Sequence, residues 1–128
     1  MYKSITTNIM VESVKETMHF YEKNLGFTTV VSVPNEVDEF NFAILVKDDI
    51  SLMFQLKQSL IEEYPTLNTE AIKPMFTLFI TVDNVKVLYE ELKGKMEVVK
   101  ELHQTFYGKD EFAIFDNNHN ILTISSHE

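Results

Sequence analysis

The sequence contains no cysteine, no tryptophan, and only three glycines and three prolines in 128 residues. Without cysteine there are no disulfides, no thiolate nucleophile and no Cys-ligated zinc or iron-sulfur centre. Three isolated glycines cannot form a phosphate-cradling loop, and no serine lies in a nucleophile-elbow motif. Basic residues are also scarce, 11 against 20 acidic ones for a net charge of -9. Such a surface repels phosphate backbones and anionic membranes, so neither nucleic acid nor a membrane is an expected partner. The same charge favours cationic ligands, although it also serves solubility. No apolar run reaches the roughly 18 residues of a membrane span, and the first seven residues hold no hydrophobic signal core, so a cytoplasmic protein is expected.

Hydrophobic residues make up 45% of the chain, enough for one compact core at this length. Residues 4–11 alternate Ile5, Ile9 and Val11 with Thr6, Asn8 and Met10, the period-two pattern of a half-buried strand. Ser13 and Glu16 form an S-x-x-E capping box before a helical stripe of Val14, Met18, Tyr21 and Leu25, which Gly26 stops. Residues 27–33, 40–46 and 51–56 read as three strands, the last two joined at Lys47-Asp48-Asp49. Residues 57–73 read as a linker with a short helix, started by a second capping box at Ser59 and Glu62 and stopped near Pro65. The pattern then begins again: a strand at 76–82, a cap at Asn84, a stripe of Val85, Leu88, Tyr89 and Leu92 ending at Gly94, and strands at 97–102, 111–115 and 120–125.

The halves match in residues as well as in order. Val11-Glu12-Ser13-Val14-Lys15 corresponds to Val82-Asp83-Asn84-Val85-Lys86 at a spacing of 71, and Ile50-Ser51-Leu52-Met53-Phe54 to Asn120-Ile121-Leu122-Thr123-Ile124 at 70. The expected organisation is one domain over 1–128, with a first βαβββ module at about 4–56, a linker at 57–73 and a second module at 74–126.

Thr7-Asn8-Ile9-Met10-Val11-Glu12-Ser13-Val14, the ending Phe20-Tyr21 to Leu25-Gly26-Phe27, and the late turn Phe112-Ala113-Ile114-Phe115-Asp116-Asn117-Asn118-His119-Asn120 together resemble the vicinal oxygen chelate superfamily. That superfamily includes glyoxalase I, bleomycin-resistance proteins and extradiol dioxygenases. The turn departs from the family's D-P-x-G-N form at Asn117 and His119, two residue types that tolerate left-handed geometry. The resemblance implies an α+β fold of two βαβββ modules, a curved, cup-shaped mixed sheet with helices on its outer face, and a homodimer. In metal-using members His, Gln or Glu side chains from the first and last strands of each unit hold a divalent cation. The corresponding positions here are Thr6, Met53, Thr77 and Thr123, whose hydroxyls and thioether do not replace imidazole and carboxylate. No metal and no cofactor are therefore expected.

Strand parity places Asn8, Gln55, Phe79, Thr81, Ile121 and Ser125 on the same face as those four, and Ile5, Ile9, Val11, Phe76, Leu78, Ile80, Val82, Leu122 and Ile124 on the helix-packing face. No two histidines have the spacing of a metal pair. His103 and Tyr107 share a loop that can border the cavity, and Glu111 or Asp110 at a strand mouth is the best placed acid-base candidate. The cavity-facing candidates are Thr6, Asn8, Met53, Gln55, Thr77, Phe79, Thr123 and Tyr107, with no catalytic residue assigned. The aromatic-rich sheet and negative charge point to a binder, similar to the bleomycin-resistance branch, that sequesters an aromatic or cationic small molecule. The alternatives are a lyase, isomerase or dioxygenase with displaced metal ligands, and an interaction module with a vestigial cavity.

Overall fold

The computed structural model describes residues 1–127. The chain divides into two compact units, Met1–Lys73 and a second that begins at Pro74. Each contains one open four-stranded mixed sheet, and together they give the expected α+β class.

In the first unit β1 (Asn8–Val11) leads into α1 (Val14–Leu25), followed by β2 (Thr28–Pro34), β3 (Phe40–Lys47) and β4 (Ile50–Leu56). The sheet order is β1-β4-β3-β2, with β1 parallel to β4 and the other pairs antiparallel. A parallel partner cannot be reached by a tight turn, so α1 carries the chain across one face to the far edge. The helix packs against β2, β3 and β4. Its Tyr21 ring lies 5.0 Å from that of Phe54 and 5.4 Å from that of Phe27, with Val11, Val14 and Leu45 also fully buried. Truncating a ring at such a site typically costs about 3–5 kcal/mol.

The second unit repeats this plan. β5 (Thr77–Val82), α3 (Val85–Leu92), β6 (Val98–Gln104), β7 (Asp110–Phe115) and β8 (Ile121–Ser126) form a sheet of order β5-β8-β7-β6, again with the first strand parallel to the last. Asn8 pairs with Met53 and Phe79 with Thr123, so the sequence offsets of 71 and 70 recur as equivalent register. Between the sheets' sequences lie α2 (Lys57–Glu63) and a 3-10 turn, Pro65–Leu67.

Several expectations change. The first strand begins at Asn8, leaving Thr6 ahead of it, and Ile5 and Phe76 are exposed outside the strands, not packed on the helices. β8 starts at Ile121, the partner of Thr77, and so offers Phe76 no pair, whereas β4 runs back to Ile50 but β1 does not follow it past Asn8. Ser59 does not cap α2: the helix continues directly from β4, and the Ser59 hydroxyl accepts a bond from Gln55. Gly94 does not end α3 in a left-handed conformation. That helix stops at Leu92 with Lys93 still right-handed, and Lys95 and Met96 both donate to the Leu92 carbonyl. On α1 the deeply buried position is Thr17 in place of Met18, because the Thr17 hydroxyl donates to the Ser13 carbonyl at 2.7 Å.

Ser13 does cap α1, accepting from the Glu16 amide at 3.1 Å, and Gly26 ends it at φ 73°. Glu39, from the β2–β3 turn, adds to this cap. Its carboxylate accepts from the Ser13 hydroxyl at 2.5 Å and from the Lys15 and Phe40 amides at 2.7 Å each. Burial pushes the Glu39 pKa upward, but these hydrogen bonds and the Lys15 charge outweigh it, and the pKa is lowered overall. The repeat lacks this device: Lys109 stands at the corresponding place, and Asn84 caps α3 through one 3.5 Å bond to the Val87 amide.

Ser13→Ala should therefore cost about 1–2 kcal/mol in denaturant unfolding, more than a lone cap, because the Glu39 contact is lost too. Glu39→Gln should cost about 1 kcal/mol at neutral pH. Because the folded-state pKa is the lower one, that contribution is present above the ordinary carboxylate range, and the gap between wild type and variant should close as pH falls through the lowered value. A pH-independent gap would contradict this role.

Candidate functional site

Each sheet has one face covered by its helix and one that is not. Cross-strand neighbours point to the same side, so the uncovered face can be read from the register. In the first unit it comprises Asn8 and Met10 of β1, Met53 and Gln55 of β4, Phe42 and Ile44 of β3, and Val31 and Val33 of β2. The polar spot is Gln55, only 8% exposed. Its carbonyl accepts from the Asn8 amide at 2.9 Å, and its own amide donates to Ser59 at 3.0 Å and Glu63 at 3.1 Å. Asn8 and Gln55 are thus brought together, and Gln55 is fully engaged in joining β1, β4 and α2.

In the second unit Thr77, Phe79 and Thr81 alternate with Leu78, Ile80 and Val82, and the former three are the exposed set. Phe79 is 59% exposed beside its partner Thr123. On the helix side Tyr89 meets Phe112 at 5.1 Å between ring centres. The uncovered side carries a polar row that spans all four strands: Thr81 pairs with Ser125, Ser125 with Glu111, and Glu111 with His103. Glu111 and Ser125 are buried, at 7% and 1% exposure. The Tyr107 hydroxyl donates a short hydrogen bond to the Glu111 carboxylate. This bond raises the phenol's pKa, because ionisation would set a phenolate against a carboxylate; burial and the Glu111 charge act in the same direction. His103 Nδ1 lies 2.8 Å from the Glu101 carbonyl, so that nitrogen carries the proton and Nε2 is the basic one in the neutral ring.

Of the residues expected at a site, Asn8, Met53 and Gln55 share one face of the first unit, and Thr77, Phe79 and Thr123 share one face of the second. Thr6 precedes β1, and Tyr107 lies in the β6–β7 turn above Glu111. Sequence reading named Glu111, His103 and Ser125 separately but did not join them. The link is a register across β6, β7 and β8, and β6 contains two irregularities that parity counting cannot see. It also missed Phe106 as an exposed neighbour of Tyr107, although the turns share a frame: Asn35 donates to the Glu39 carbonyl, Thr105 to that of Lys109, with Asp38 and Gly108 both left-handed. A shallow depression of about 480 Å³ at Tyr2, Lys3, Ser4 and Ile5 includes none of the sheet-face residues.

The donors do not fit a divalent cation. The positions in question offer three hydroxyls and a thioether, the adjacent Gln55 amide is already engaged, and no group of three or more His, Asp or Glu is placed to hold a metal among the described residues.

A family model described as "Glyoxalase/Bleomycin resistance protein/Dioxygenase superfamily" matches residues 4–124. Among solved structures, the chain is similar to a glyoxalase/bleomycin resistance protein/dioxygenase family enzyme from Burkholderia phytofirmans PsJN, at 20% identity and a TM-score of 0.71, covering 94% of this chain and 95% of that one. A superfamily member from Sphaerobacter thermophilus DSM 20745 gives 17% identity and a TM-score of 0.73 over 99% and 98%. TioX from Micromonospora sp. ML1 gives 10% and 0.75 over 99% and 100%. No curated protein sequence matches the chain.

The Tyr107–Glu111 bond has a direct spectroscopic consequence. One of the five tyrosines should titrate above the ordinary phenol range because of it, and Glu111→Gln should bring that titration down. Ring-carbon NMR of Tyr107 in the two proteins measures this; equal midpoints would mean that the bond does not form.

Proposed function

Because the chain belongs to the Glyoxalase/Bleomycin resistance protein/Dioxygenase superfamily, we propose that it is a small-molecule-binding protein that sequesters an aromatic or cationic compound without transforming it. One observation carries this reading: in the second unit the sheet face away from α3 presents hydroxyls at two of the metal-ligand positions, Thr77 and Thr123, together with an exposed Phe79 and a buried Glu111. Such a surface suits burial of an aromatic ligand and attraction of positive charge. It does not suit Lewis-acid activation of an oxygen. The net charge of -9 favours approach of a cation at long range.

The same reading has the protein act as a cytoplasmic homodimer. In support, Val30, Val31 and Val33 are exposed on β2, an edge strand, where a second copy would cover them. No helix among the described residues is long and apolar enough to cross a membrane.

A melting-temperature screen tests the binder. Saturation at one hundred times Kd stabilises by about 2.7 kcal/mol, which gives a rise of several degrees. Aromatic or cationic compounds should produce it, while divalent metals and chelator should leave the melting temperature unchanged. Protein purified without a metal-affinity tag should contain substoichiometric zinc, nickel, manganese and iron. One equivalent of tightly held metal, or metal-dependent turnover of a glutathione hemithioacetal or a catechol, would overturn the assignment in favour of an enzyme.

A further inference from the structure

The polar row of the second unit has two unusual members. The Ser125 hydroxyl is buried and has no hydrogen-bond partner among the described residues. Leaving such a group unmatched costs about 1–3 kcal/mol, so it is a feature to be explained and not ordinary packing. Its cross-strand neighbour Glu111 is a buried carboxylate whose sole partner among the described residues is the Tyr107 hydroxyl on Oε2. None of the ion pairs among the described residues includes it. One neutral donor on one oxygen leaves Oε1 open among the described residues.

Beside this carboxylate stand two aromatic rings with no core to fill. Phe106 is fully exposed and Tyr107 half exposed, and they meet edge to face with centres 4.9 Å apart. Their turn is well fastened. Thr105 donates to the Lys109 carbonyl at 2.8 Å, Gly108 to the Thr105 carbonyl at 3.0 Å, and the Lys109 amide to the Thr105 hydroxyl at 3.0 Å, with Gly108 at φ 83°. Exposing a phenylalanine completely on an ordered turn has no structural benefit. At the corresponding turn of the first unit the same two places hold Glu36 and Val37. The aromatic pair is therefore not required by the turn itself.

We infer that Glu111, Ser125, Tyr107 and Phe106 form a recognition site for an arylalkylammonium, a primary or secondary organic amine in its protonated form carrying an aromatic ring. The ammonium donates to Glu111 Oε1 and lies against the Tyr107 face, the ring of the ligand packs on Phe106, and the Ser125 hydroxyl bonds a polar hydrogen or lone pair of the ligand's head. The site rests on the binder reading and gives it a ligand class. The cation requirement follows from the carboxylate, and the preference for an N–H donor over a quaternary nitrogen follows from the open Oε1. Lys100, in register with Ala113, is exposed and forms no ion pair with Glu111 among the described residues.

Calorimetric titration of the whole protein with benzylammonium, the isosteric benzyl alcohol and benzyltrimethylammonium tests this. Benzylammonium should bind roughly tenfold tighter than either of the others, as one charge-assisted hydrogen bond would give. Glu111→Gln should remove that preference. Tyr107→Phe keeps the ring but frees Oε2, so it should tighten benzylammonium several-fold more than benzyl alcohol; this arm holds even if Glu111→Gln does not fold. Phe106→Ala should weaken all three probes together. Equal binding of ammonium and alcohol, or a preference untouched by Tyr107→Phe, would overturn the site. If benzylammonium fails while other compounds raise the melting temperature, the amine site falls and the binder survives. If no compound of any class binds, both fall.

Discussion

The parallel pairing of the first and last strands in each unit determines where everything else lies. A strand that pairs with its sequence neighbour needs only a turn, but β1 lies against β4, and β5 against β8. The chain must therefore cross the sheet before it can zigzag back, and the crossing is made by a helix. That helix takes one face of the sheet, and three antiparallel strands then fill the space between. The opposite face is left without that helix. The same pairing aligns residues in straight rows across four strands, and in the second unit it brings Thr81, Ser125, Glu111 and His103 into one line.

The two repeats keep this frame while exchanging its contents. Under α1 the cross-strand pair is Ala43 with Phe54; under α3 the corresponding pair is Phe112 with Ile124. The large ring sits on β4 in the first unit and on β7 in the second, where it meets Tyr21 and Tyr89 respectively. The β2–β3 and β6–β7 turns diverge in the same way. One supplies Glu39 to the end of α1 and serves stability. The other supplies Tyr107 to Glu111 and presents Phe106 outward. One turn of the duplicated frame thus completes a helix cap, while its twin bonds a strand residue and exposes a ring.

Much of the frame was legible because its signals are local. The Ser13 cap, the Gly26 stop, the alternation in residues 77–82 and the offsets of 71 and 70 each depend on a few neighbouring residues, and all eight strands lie where the pattern predicts within a few residues. His119 takes the left-handed conformation at φ 63°, within a turn that Asp116 holds through the Asn118 and Asn120 amides, so the departure from Gly is tolerated there. What failed depended on tertiary partners. β1 starts only at Asn8 although β4 runs back to Ile50, and Ser59 accepts from Gln55 in place of capping α2. The candidate site was half legible. Asn8 with Gln55 and Phe79 with Thr123 follow from parity alone, but the joining of His103, Glu111 and Ser125 passes through irregular β6 and depends on which residues of a bulged strand are paired.

That the uncovered face of the second sheet is the ligand face is tested most directly by mapping amide chemical shifts as benzylammonium is added to the labelled protein. The expected result is saturable perturbation centred on Phe106, Tyr107, Glu111 and Ser125. Perturbation centred instead on the helix side, at Ile80, Phe112 and Ile124, or at Tyr2, Lys3, Ser4 and Ile5, would contradict it.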